Sequence, residues 1–370
     1  MSSAGAISAE IEEKASRVRA LLRERGADGI LLRRVSSFAW ATGGAASGIN
    51  TATDLGVGEL LVTADARYLV TSAIEAPRFD AEDHLAAQGW QPLVGPWYAA
   101  NPLLAGRTRG LKLASDHPRA GEIDLAADVS RLRAALTPAE GARFRELGAR
   151  AAQAIDAAMR RVRPGETEHE LAAHLAEEAT ARGVWPVVDL VATDDRIRRF
   201  RHPLPTDKKL ERHAMLVLCA RKWGLVASVT RFVHFGKLPE DLRRRQQATA
   251  EVDATFLAAT RPGAAIKDVF ARAVARYEAT GFGQEWTLHH QGGAAGYEPR
   301  ESIGTPDSGE KVAEGQAYAW NPSITGTKSE DTILIGSQAN EVLTQVAGWP
   351  TIQVSVDGAS FDRPAVLEVT

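Results

Sequence analysis

Short apolar runs recur along the first third of this chain, separated by helical or turn-forming stretches: Gly29-Ile-Leu-Leu32, Ala39 to Thr42, Glu59-Leu-Leu-Val-Thr63 and Arg67-Tyr-Leu-Val-Thr71. Runs of that length suit strands better than helices, and their alternation with helical patterns predicts an α/β sheet domain. Ahead of them, Ser8 to Arg25 reads as an amphipathic helix. Ser8 is placed to cap it, Glu10 and Glu12 lie in its first turn, and Ile11, Val18, Leu21 and Leu22 form an apolar stripe. A hydrophilic helix from about Ala120 to Arg133 closes the unit.

Thr137-Pro-Ala-Glu140 marks a fresh start, with Thr137 as cap and Pro138 at the first helical position. This helix runs to about Arg161 through Phe144, Leu147, Ala151 and Ile155. Arg163-Pro-Gly165 ends it, and Glu166-Thr-Glu168 opens a second helix to Arg182. Beyond lie strand-like runs at Ala214–Leu218, Leu225–Phe232 and Thr332–Ile335, and a long helix from about Glu240 to Thr260. The boundary therefore falls between 134 and 140, which predicts an α/β domain over 1–136 and a second domain over 137–370. A length of 370 residues is about twice the usual domain size and agrees with two units.

With 44% hydrophobic and 25% charged residues the composition is that of a globular protein, and the net charge of -3 argues against nucleic-acid or anionic-membrane partners. The arginine clusters at 196–201 and 243–245 are short enough to be solvated faces. Cys219 is the only cysteine, so no intrachain disulfide can form. The N-terminus lacks a signal-peptide pattern, and no run approaches the ~18 apolar residues that span a bilayer. These features predict a cytoplasmic protein.

The order of landmarks in the second half resembles the pita-bread fold of the creatinase/aminopeptidase P superfamily, which includes methionine aminopeptidase and prolidase. The resemblance rests on Arg163-Pro-Gly-Glu-Thr167, Arg201-His202-Pro203, Gly224-Leu-Val-Ala-Ser-Val-Thr-Arg231, His290-Gln-Gly-Gly293, Tyr297-Glu-Pro299, Ala319-Trp-Asn-Pro322 and Ser329-Glu-Asp-Thr-Ile-Leu334. Ala39-Trp-Ala-Thr-Gly43 and Thr71-Ser-Ala-Ile-Glu-Ala-Pro-Arg78 are similar to the creatinase-type N-terminal domain. The implied fold class is α/β (α+β), with a creatinase-like domain ahead of a pita-bread domain.

The metallopeptidases of that superfamily hold two divalent ions with two Asp, one His and two Glu, because anionic oxygens replace water and cancel the dication charge. Carried over position by position, these ligands fall on Val217, Ser228, His290, Asn321 and Glu330. A hydrocarbon, a hydroxyl and a neutral amide cannot do the work of three carboxylates, so the expectation is no metal and no cofactor.

The resemblance further implies that His202 matches the substrate-contacting His of the family, which in creatinase shuttles a proton. An unperturbed pKa near 6.5 suits that task. His290 is expected as a substrate contact or acid/base, aided by Gly292 and Gly293, which would let backbone approach a ligand. His289 is expected to point away from the cavity if the segment is a strand. Glu330 is expected to accept a substrate cation or orient His290, and Lys328 to form a salt bridge. Asn321, Tyr297, Glu298, Arg300 and Ser228 complete the candidate substrate contacts. Arg231 and Asp331 read as structural, and Cys219 as buried and inert.

The sequence thus predicts a metal-independent hydrolase acting on a C–N bond of a small cationic or amide-type substrate. One alternative is a metal-dependent Xaa-Pro aminopeptidase or dipeptidase; another is a non-catalytic binding or regulatory protein on the same fold. Creatinase-type relatives imply a homodimer, with Trp40 or Arg78 near its seam.

Overall fold

Gly29–Arg34 forms an inner strand of a six-stranded mixed sheet, five of its six residues buried. It pairs antiparallel with Leu55–Thr63 and parallel with Leu113–Ser115. Arg67–Ser72 and Gln91–Gly95 extend one side and Ile123–Asp124 the other. Three of the four apolar runs are thus strands. The fourth, Ala39 to Thr42, lies mostly in the helix Val35–Ala41, whose residues from Ser36 onward are all buried. A helix apolar on every side has no period to betray it, so run length alone misassigned this segment. The hydrophilic helix begins later than expected, at Ala126, because Ile123–Asp124 joins the sheet edge. Trp40 is fully buried within this unit, so it offers no surface to a partner chain.

The computed structural model describes residues 3–370, with side chains from Ile7 onward. It divides into two compact units, one ending at Ala139 and including Trp223–Leu225, the other formed by Glu140–Lys222 and Val226–Thr370. The second unit opens with the helices Pro138–Arg161 and Glu168–Ala181. Thr167 and Glu170 form a capping box at the start of the latter, which satisfies two amide donors reciprocally.

Two sheets follow. One has the order Leu367–Val369, Leu225–Phe235, His213–Lys222, Trp185–Thr193; the other Ser302–Ile303, Gly292–Ala295, Ala317–Trp320, Asp331–Leu334, Glu341–Val342. The strands His213–Lys222 and Leu225–Phe235 meet at a two-residue turn in which Trp223 and Gly224 both have positive φ, the geometry that matches strand twist. The sheets are stitched where Leu225–Phe235 meets Asp331–Leu334. Ser228 N donates to Thr332 Oγ1 (2.8 Å), Thr332 Oγ1 donates to the Ser228 carbonyl (3.0 Å), and Thr230 bridges Glu330. The helices Glu240–Ala259 and Ile266–Ala279 bury Val252, Phe256, Val269 and Tyr277 against Trp320 and Ile333. Phe256 stacks on Trp320 at 4.4 Å, and the Trp320 indole donates to Thr260.

His213 is buried where the hairpin strand begins, with Nδ1 on the Val233 carbonyl (3.1 Å). Burial, then the neighbouring His234, push its pKa down to about 4. The unfolded chain therefore binds a proton that the folded chain refuses between roughly pH 6.5 and 4. Stability from this group is present above about pH 6.5 and is lost as pH falls through 4. Denaturation midpoints should drop across that window, and His213→Gln should flatten the drop while lowering stability little at pH 8.

Candidate functional site

The stitch between the two sheets places Ser228 and Glu330 in one cluster. Glu330 is fully buried, and both its oxygens are occupied: Oε1 accepts from Arg300 Nη2 (2.8 Å), while Oε2 accepts from Lys328 Nζ (2.8 Å) and Thr230 Oγ1 (2.6 Å). Burial alone would raise its pKa, but Lys328 and Arg300 overcome that and hold the carboxyl well below the usual range. Arg300 also donates from Nη1 to Ser228 Oγ (3.1 Å) and to the Pro299 carbonyl (2.6 Å). Ser228 Oγ lies 3.2 Å from the Cys219 sulfur, and burial pushes that thiol's pKa up, in line with an inert cysteine. Lys328 reaches the cluster from the small hairpin Ser323–Ile324/Thr327–Lys328, whose turn uses Gly326 at φ 93°.

Three imidazoles sit beside this cluster. His202 Nε2 is 3.0 Å from His289 Nε2, its ring centroid is 5.6 Å from that of His290, and the rings of His289 and His290 stack at 4.5 Å. His289 therefore turns toward His202 as well, against the expectation that alternation would send it away. The pair precedes the strand, which starts at Gly292, so ladder alternation does not apply. The segment carrying His202 is anchored on both sides. Buried Glu168 accepts from Thr206 N and Oγ1, and Arg201 pairs with Glu285 (2.5 Å).

All three imidazoles favour the neutral form. Burial, then the charge of Lys328, lowers His202; burial and Lys328 push His289 down to about 2; burial and Arg300 push His290 down to about 4. Nδ1 of His289, Nδ1 of His290, Asn321 Oδ1 and Ser323 Oγ are buried with no hydrogen-bond partner among the described residues. His289, Lys328, Ser323 and Thr327 line one small cavity. The cavity has room for about one water; its walls offer the His289 imidazole, the Lys328 ammonium and the Arg201 guanidinium, which pairs with Glu285.

Other expected contacts are engaged elsewhere. The Tyr297 hydroxyl donates to Glu140 Oε1 at 2.6 Å in full burial, so it is a packing bond rather than a free donor. Glu298 faces Arg221, whose charge it supports. Gly292 and Gly293 serve the sheet instead of a ligand, for a Cβ would stand 2.2 Å from the Ala319 carbonyl oxygen or 2.1 Å from that of Ser302. The Glu330 charge, expected to receive a substrate cation, is matched instead by the protein's own Arg300 and Lys328. The structural roles of Arg231 and Asp331 agree with their contacts, at 2.8 Å. Unforeseen was Arg363, which joins Asp253 (2.7 Å) and Asp331 (2.6 Å) in full burial.

A pair of divalent ions does not fit these donors. Val217 is buried among Met215, Phe232 and Leu242, Ser228 and Glu330 are held by Arg300, and Asn321 is neutral. Two protein cations occupy the carboxylate that a metal would need. The three imidazoles, with ring nitrogens within 4.8 Å of one another, are the group among the described residues able to ligate a single ion, but Lys328 and Arg300 place positive charge beside it.

The family model for metallopeptidase family M24 matches residues 142–337. An agropine synthesis cyclase of Rhizobium rhizogenes is 30% identical over 183 residues, 46% of this chain and 46% of that protein. An uncharacterized peptidase of Staphylococcus aureus (strain MW2) is 22% identical over 236 residues, 60% of this chain and 66% of its own length. These matches thus span two thirds or less of the relatives. Among solved structures, an Xaa-Pro dipeptidase from Bacillus anthracis superposes with a TM-score of 0.79 at 20% identity, covering 97% of this chain and all of that one. At that identity the likeness speaks for the fold. No described helix is long and apolar enough to cross a membrane.

Proposed function

The chain belongs to metallopeptidase family M24, and from that premise we propose that it is a hydrolase that cleaves a C–N bond in a small substrate without the family's metal pair. The observation that carries this reading is the state of Glu330, a ligand position whose two oxygens are taken by Arg300, Lys328 and Thr230. His202 acts as the base. As a neutral imidazole it takes a proton from water as the water oxygen bonds to the carbonyl or amidine carbon, then returns that proton to the nitrogen that leaves. His289 positions His202 through the 3.0 Å contact between their Nε2 atoms, one donating and one accepting. His290 and the unpartnered Asn321 Oδ1 are left to meet the substrate's polar atoms. The protein is expected to work as a homodimer in the cytoplasm.

The test is to assay chelator-treated full chain against amides, amidines and guanidino acids, with and without added Mn²⁺. Turnover that survives chelation supports the proposal; turnover that appears only with Mn²⁺ contradicts it. The same preparation addresses a second reading, which the 30% identity to a cyclase favours. If a group within the substrate replaced water as nucleophile, the same base would close a ring and expel water or an amine. Cyclic product formed from a linear amino or hydroxy acid, with no hydrolysis, would establish it.

A further inference from the structure

We propose that Glu285 is a positioning residue for this site, a clamp that fixes His202 through its neighbour Arg201 and ties both to the hairpin carrying Lys328. The inference rests on the reading of His202 as the base.

Glu285 opens the short 3₁₀ turn Glu285–Leu288, just ahead of His289 and His290. Its Oε2 accepts from Arg201 Nη2 (2.5 Å), from the Thr325 backbone N–H (3.0 Å) and from Thr325 Oγ1 (3.0 Å). Arg201 Nη2 also donates to Thr325 Oγ1 (3.2 Å), which closes a triangle. Its corners belong to three segments far apart in the chain. Arg201 precedes His202, Glu285 leads into the histidine pair, and Thr325 lies at the turn of the hairpin that ends at Lys328. A second tie joins that hairpin to the histidine pair. Ser323 N donates to the Tyr277 hydroxyl (2.9 Å), the hydroxyl donates to Gln291 Oε1 (2.9 Å), and Gln291 Nε2 donates to the His289 carbonyl (2.6 Å).

His202 needs such a clamp because it is the most exposed of the three imidazoles, and its ring has one hydrogen-bond partner among the described residues, His289 at 3.0 Å. A ring held by a single bond keeps its place only if its backbone does. Beyond His202 the chain is held at Leu204, whose carbonyl accepts from Arg196 (3.0 Å), and at Thr206. On the near side the adjacent hold is Arg201 on Glu285. That pair is charge-assisted and shielded, with side chains 18% and 15% exposed, so water competes weakly for it. The neighbouring pair Arg199–Asp195, 66% and 60% exposed at 3.6 Å, lacks that shielding and contributes little. Glu285 Oε2 is turned to protein donors, so its effect on the reaction passes through His202.

Carbethoxylation of the full chain by diethyl pyrocarbonate, mapped by peptide mass spectrometry, reads the clamp without turnover, with exposed His84 of the first unit as reference. A freed imidazole reacts faster, so Glu285→Ala should raise the His202 rate at least about three-fold against His84. Arg201→Gln should do the same, and the double variant should add nothing, because both substitutions remove one tie. In hydrolysis, Glu285→Ala should lower kcat about 10- to 100-fold, the cost of a misplaced base, with KM changed less than about three-fold. Glu285→Gln keeps an acceptor oxygen without the charge and should fall between native and Ala in both readouts. If Glu285→Ala fails to fold, Arg201→Gln and Glu285→Gln carry the test. An unchanged His202 rate in these variants, or single effects that multiply in the double variant, would overturn the inference. A clamp seen in reactivity while the native chain hydrolyses nothing would count against the proposed reaction alone. Native turnover with neither His202 reactivity nor kcat moved by Glu285→Ala would count against the clamp alone.

Discussion

His202→Ala should lower kcat by about 10²- to 10⁴-fold, the usual range for loss of a positioned general base. KM should move far less, because the ring's proton transfer is made in the transition state, whereas its ground-state contact with substrate is one among several. The pH dependence gives the effect a second signature. Burial and Lys328 lower the His202 pKa below its ordinary 6.5, so the base stays neutral, and active, into mildly acid solution. The acid limb of kcat/KM in the native protein should lie below pH 6.5, and it should vanish in the residual activity of His202→Ala. His289→Ala, by contrast, removes only the partner at 3.0 Å. It should lower kcat less and displace the limb, because a positioning residue acts through the base.

The second large effect is on stability. Arg363→Met should destabilise the fold by about 3–5 kcal/mol, the range for breaking a buried ion pair while its partners stay in place. Arg363 is fully buried and joins Asp253 to Asp331. Without it, Asp331 keeps Arg231, but Asp253 keeps only the Ser329 hydroxyl at 2.5 Å. Burial already raises the Asp253 pKa, and loss of Arg363 would raise it further. A carboxyl with a raised folded pKa costs stability above that pKa and is relieved as it protonates. The deficit of Arg363→Met against the native protein should therefore shrink as pH falls toward 4. Arg363→Met combined with Asp253→Asn should recover much of the loss at pH 7. Urea denaturation followed by circular dichroism reads both outcomes; a deficit unchanged by pH and by the second substitution would remove the ion-pair explanation.

Much of the fold was legible because its cues are local. Pro138 at a helix start, the capping pair Thr167 and Glu170, and the β-branched run Leu225–Phe235 each act within a few residues of themselves. Val35–Ala41 was missed because burial on all sides erases periodicity. In the site, counting along the chain put Val217, Ser228, His290, Asn321 and Glu330 at the family's ligand positions, and the structure brings Ser228 and Glu330 together around Arg300. The salt bridge of Lys328 was expected, but its meeting with Arg300 on one carboxylate was not: Arg300 lies in the turn between Gly292–Ala295 and Ser302–Ile303, 30 residues from Glu330, a separation that only the folded sheet closes. His289 was turned the wrong way because it was assigned to a strand that begins three residues later.

The central claim is that Arg300 and Lys328 stand where the family's metal pair would need a free carboxylate. Titrating Mn²⁺ into chelator-stripped full chain, with elemental analysis of the recovered protein, tests it most directly. Because the donor set lacks the anionic oxygens a hard cation requires, fewer than about 0.1 equivalents should bind at micromolar Mn²⁺. Two equivalents bound with micromolar affinity, and lost on Glu330→Gln, would contradict the account.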